Sequence, residues 1–127
     1  MNTTYVMTSS ALLMIGAGLI CSFLPHELAQ WLEISGDQTV PMILKIVGAL
    51  YFAFGMVNWT AKDTLLGGIY GRPVVIGNLS HFVIGALALL KGVSLQSHPP
   101  VVIVLTAFYT IYAVLFGSIF FRTPPQK

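Results

Sequence analysis

The residues best suited to chemistry lie in a stretch with little polarity of its own. In GRPVVIGNLSHFVIGALALLKG, Gly71 to Gly92, the residues Asn78, Ser80 and His81 fall within one helical turn of an otherwise apolar run. An imidazole beside an amide can hold a ligand by hydrogen bonds or relay a proton, and an ionisable residue inside a membrane reads as functional by default. Three further residues belong with them. Asn58 and Tyr51 lie in the apolar run before, and Arg72 stands at the start of this one, where it could meet an anionic headgroup.

Most familiar chemistries fail on residue type or spacing. A b-type haem needs two histidines at matching depth on facing helices. His81 is alone in the apolar core, while His26 and His98 belong to boundary segments. His26, Glu27 and His98 fall on one side of the membrane, but His26 and Glu27 are neighbours that diverge on a helix. We therefore read them as solvated surface groups, and no metal site is expected. Ser80 and His81 also diverge on a helix, so they cannot form a hydrolytic pair. No Asp or Glu lies in an apolar core, which argues against a cation-coupled pump. Gly67, Gly68 and Gly71 have no P-loop spacing and no following Lys-Ser/Thr pair. No catalytic residue and no cofactor is expected, and a non-enzyme is favoured.

These residues must be positioned by something that tolerates hydrocarbon. The chain has 127 residues, of which 56% are hydrophobic and only 8% charged. Its mean hydropathy is +0.84. A soluble domain would need far more charge to solvate its surface. The formal net charge of +2, without a basic cluster, excludes a nucleic-acid footprint. The single cysteine, Cys21, rules out an internal disulfide and reads as a small buried side chain.

Four apolar segments emerge, over about 6–24, 41–59, 73–90 and 101–121. Each is long enough to cross about 30 Å of hydrocarbon at 1.5 Å per residue. Backbone groups in lipid must be satisfied internally, so these segments are helices, and the missing period-2 alternation excludes a barrel. Pro41, Pro73, Pro99 and Pro100 sit at or before helix starts, and Gly92 is placed as a stop after the third helix. The first ten residues carry no Lys or Arg, so the first segment is expected to be a retained span rather than a cleaved signal. Between the first two spans, LPHELAQWLEISG repeats apolar residues at helical spacing, with Pro25 to open and Gly36 to close a short interfacial helix. The fold class expected is an all-α integral membrane four-helix bundle forming a single domain.

Orientation follows from cations. With the N-terminus inside, Lys62, Arg72, Arg122 and Lys127 are cytoplasmic, while Lys91 is outside and Lys45, one turn inside the second helix, can snorkel outward. Both termini are therefore expected in the cytoplasm. His81 is about nine residues, or about 13 Å, from Arg72, near the midplane. Its helix face carries Gly77, Asn78, Gly85 and Ala88, and the opposite face carries Val75, Leu79, Phe82 and Leu89. Small residues let membrane helices approach, so the polar stripe is expected to face the bundle and Phe82 to face out. Matching stripes are Gly16, Ala17 and Gly18 in the first span, Gly48, Gly55 and Asn58 in the second, and Thr106, Tyr109, Thr110, Tyr112 and Gly117 in the fourth. The pairs expected are Asn78 with Asn58 and His81 with a tyrosine.

The runs GALYFAFGMVNW, GGIYGRPVVIGN and HFVIGAL, with FLPHELAQWLEI after the first span, resemble the small four-helix bacterial membrane proteins described as DoxX-like. The resemblance covers about Leu12 to Lys91. It implies four helices and cytoplasmic termini in a bacterial inner membrane. The family name derives from a proposed accessory subunit of a membrane quinol oxidase, and no residue role is carried over from it. Two functions are left open. One is a non-catalytic accessory or scaffold subunit, with a membrane-protein partner or a second copy. The other is binding or transport of a quinone- or lipid-like small molecule at His81, Asn78, Asn58, Tyr51 and Arg72.

Overall fold

A computed structural model describes residues 2–95 and 97–122. Among them every regular element is a helix: α1 (Thr3–Phe23), α2 (Pro25–Trp31), α3 (Thr39–Ala61), α4 (Gly71–Leu95) and α5 (Pro100–Arg122). The four long helices are each long and apolar enough to cross a membrane. Two compact units divide the chain, one spanning Thr4–Lys62 and the other built mainly of the residues from Asp63 onward. Each is described by itself.

In the first unit α1 and α3 pack where their side chains vanish. A Cβ on Gly18 would lie 2.7 Å from the Phe52 nitrogen and 2.8 Å from the Gly48 oxygen. One on Gly55 would lie 2.8 Å from the Ile15 nitrogen and 3.0 Å from the Ala11 oxygen. Backbone therefore meets backbone, and close-packed atoms on both helices gain dispersion contacts. Gly16, expected in the same contact, has open space where a Cβ would be. Two residues from Gly18 along a helix, it is turned about 200° away.

Helix α2 opens at Pro25 as expected, but Gly36 does not close it. Its end is a Schellman turn, in which the Ile34 N–H donates to the Ala29 carbonyl and the Glu33 N–H to that of Gln30. The left-handed residue this motif requires is Glu33, at φ 56°. A glycine three residues further on is too late to serve it.

The start of α3 is held by Asp37, whose Oδ1 accepts the Thr39 N–H at 2.8 Å. The Thr39 side chain and then its backbone hold the Asp37 carboxyl below its usual range. A lowered native pKa stabilises the fold above the unfolded value of about 3.9 and loses that stabilisation as pH falls through the native one. Acid should therefore loosen this helix start in the wild type. Asp37→Asn keeps an acceptor at every pH, so its thermal melts should show a smaller loss below about pH 4. Parallel acid profiles for the two proteins would exclude the cap.

In the second unit α4 and α5 form an antiparallel hairpin. Helix α4 runs past Gly92 to Leu95, beyond the expected stop. A single glycine weakens a helix by about 1 kcal/mol but need not end it. His98 then caps it, with its Nε2 3.0 Å from the Gly92 carbonyl. A carbonyl can only accept, so Nε2 carries the proton. His98, read from sequence as a solvated loop residue, thus satisfies one of the four terminal carbonyls that a helix leaves open.

Candidate functional site

Asn58 is the centre of the polar contact in the first unit. It is fully buried. Its side-chain nitrogen donates to Ser10 Oγ at 3.1 Å and approaches Met14 Sδ at 3.7 Å. Ser10 in turn donates to the Met7 carbonyl at 2.9 Å. The chain of bonds therefore ends on backbone. Asn58 lies three residues beyond Gly55, so the glycine contact brings its helix close enough for the amide to reach α1. Tyr51, on the turn between Gly48 and Gly55, is half-buried.

The second unit holds His81, Asn78 and Arg72. His81 Nε2 lies 3.0 Å from the Tyr109 hydroxyl, which supplies the tyrosine partner on α5. Asn78 is fully buried and donates to the Val74 carbonyl of its own helix at 2.9 Å. Asn58 and Asn78 thus belong to different units, and within its own unit each has a partner. Ser80, their neighbour in sequence, is exposed. Arg72 places its guanidinium carbon 4.8 Å from the centre of the Phe120 ring. Thr106 and Thr110, expected on the inner polar stripe, return their hydroxyls to the Val102 and Thr106 carbonyls one turn back, at 2.8 Å each.

The larger feature is aromatic, and it corrects the face expected for α4. Val75 and Phe82 are buried, although both were placed on the outward side, and Ala88 is exposed although placed inward. The buried line on α4 runs through Gly71, Val75, Asn78, Phe82 and Ala86, with His81 at its edge. Phe82 stacks on Tyr112 at 5.0 Å between ring centres and on Phe116 at 5.6 Å. It meets Tyr109 edge-on at 5.4 Å. Tyr109 closes over Gly85, where a Cβ would fall on its ring. Offset and edge-on aromatic pairs contribute about 0.5–1.5 kcal/mol each beyond burial. The rings that hold Tyr109 therefore also aim its hydroxyl at His81.

Sequence reasoning missed Phe82 and Phe116. The spacing of Tyr109, Tyr112 and Phe116, three and then four residues apart, was the available signal for a ring-bearing face on α5. Nothing in composition marks Phe82 as inward, because the other faces of α4 are apolar too. Among the described residues no group of three or more His, Cys, Asp or Glu side chains could hold a metal ion. Comparison with known families, curated proteins and solved structures yields no match.

Proposed function

We propose that this chain is a multi-pass protein of the bacterial inner membrane, with both termini cytoplasmic, acting as a non-catalytic accessory or scaffold subunit of four-helix, DoxX-like type. One observation carries the reading. No buried side-chain nitrogen or oxygen among the described residues lacks a hydrogen-bond partner. Buried polar groups in lipid are expensive unless paired, so Asn58, Asn78 and Thr106 are accounted for as internal fastenings without a substrate. The excess of Lys and Arg in the second loop and C-terminus supports the orientation. Apolar outer faces such as that of Ile84 and Leu87 suit lipid, a partner membrane protein or a second copy.

A second reading rests on His81, which is only half-buried, unlike the two asparagines. There the imidazole, with Asn78 and Arg72 of the same unit, would bind a quinone- or lipid-like molecule. Native mass spectrometry of wild type, His81→Ala and Tyr109→Phe in mild detergent separates the two. As fastenings, both variants lower unfolding stability by about 0.5–2 kcal/mol and carry the same lipids as wild type. A small apolar molecule present on wild type and missing from His81→Ala would replace the accessory reading with the binding one.

A further inference from the structure

We propose that the end of the α4/α5 hairpin at the 63–70 loop is a docking surface for anionic phospholipid headgroups, combining an apolar wedge with two arginines. This rests on the membrane-spanning reading above. The loop is not a loose connection. The Gly68 N–H donates to the Leu65 carbonyl at 2.9 Å, and the Arg72 N–H to the Gly68 carbonyl at 3.0 Å. Leu66 is buried, and Gly71 packs so closely that a Cβ would lie 2.6 Å from the Leu66 Cα. With that anchor, Leu65, Ile69 and Tyr70 point away from the protein at 61%, 77% and 86% exposure.

Such exposure is costly in water and favourable at the boundary of a bilayer, where a tyrosine presents both an apolar ring and a polar tip. The loop must lie at that boundary, because it leads directly into a membrane-length helix at Gly71. The same end of the hairpin carries Phe121, 83% exposed, and Arg122 in the last turn of α5. The contact of Arg72 with Phe120 brings the start of α4 level with the end of α5, two residues before Arg122.

The charge selects the occupant. Arg72 and Arg122 stand against one exposed carboxylate, Asp63. Guanidinium binds phosphate oxygens in a planar fork, which suits a phosphodiester headgroup whose acyl chains accept Leu65, Ile69 and Tyr70. A free phosphate would leave the apolar wedge without a partner.

The test uses the full chain in nanodiscs and detergent, with phosphatidylglycerol and phosphatidylcholine as probes. Native mass spectrometry should show wild type retaining phosphatidylglycerol preferentially. In Arg72→Gln/Arg122→Gln the preference should fall by roughly fivefold for each arginine removed. Leu65→Ser/Ile69→Ser/Tyr70→Ser should lose retention of both lipids, and excess inorganic phosphate should not displace either. The wild-type comparison needs no variant, so a misfolded mutant cannot hide the answer. Equal retention of the two lipids by wild type, or displacement by inorganic phosphate, overturns the proposal. Extraction of the wild type from membranes by alkaline carbonate would instead defeat the membrane reading on which it rests.

Discussion

Gly48→Val should destabilise the protein by about 3 kcal/mol, while Gly16→Val leaves stability within about 0.5 kcal/mol of wild type. The substitution is the same and both sites are helical glycines in long apolar helices, so intrinsic preference nearly cancels between them. The difference is what the new side chain meets. At Gly48 a Cβ would lie 2.9 Å from the Gly18 carbonyl and 2.9 Å from the Cys21 Cβ, and at Gly16 it meets nothing within 4 Å. A carbonyl in a helix cannot move aside as the tip of a long side chain can. The helices must separate, which also draws Asn58 away from Ser10. Overpacking and a lost buried hydrogen bond therefore add. Unfolding titrations in mixed detergent micelles would measure both variants. Equal losses at the two sites would show that α1 and α3 do not meet through glycine.

Gly85→Ala should cost about 1–3 kcal/mol and break the bond between His81 and Tyr109. The added methyl would fall on the Tyr109 ring, so the ring must tilt. It is confined by Phe82 on one side, and its hydroxyl is held by His81. The double mutant supplies the decisive comparison. Tyr109→Ala alone costs about 3–5 kcal/mol through the cavity it leaves. In that background the alanine at position 85 meets no ring, so its own penalty should vanish, a coupling of at least about 1 kcal/mol. Tyr109→Phe removes the hydroxyl and keeps the ring, so it should leave the Gly85→Ala penalty largely in place. A Gly85→Ala cost unchanged by Tyr109→Ala would contradict the hairpin packing.

Much of the candidate site was legible from types and spacing. Asn58 is buried beside the Gly48 and Gly55 contact, and His81 meets a tyrosine. Both outcomes follow from the expense of bare polar groups in an apolar interior. His98 was less legible. A histidine in a short connection before two prolines looks solvated, and only the path of the chain after Gly92 brings its ring to a helix carbonyl. Glu33 is similar, since local sequence favoured Gly36 as the stop while the hydrogen bonds of α2 placed the left-handed residue three positions earlier.

The sequence by itself determined the all-helical class and the four long apolar helices, each within a few residues of its ends. Those depend on the hydration of side chains and backbone over windows of about 20 residues, which is local information. The inward face of α4 was decided only by tertiary structure. A helix that is apolar nearly all round gives hydrophobic patterning nothing to sort by, so residue type does not distinguish Phe82 from the exposed Ile84 and Leu87. Its place against Tyr112 and Phe116 is set by the shapes of rings on another helix, and Gly18 rather than Gly16 is chosen by where a neighbouring backbone passes.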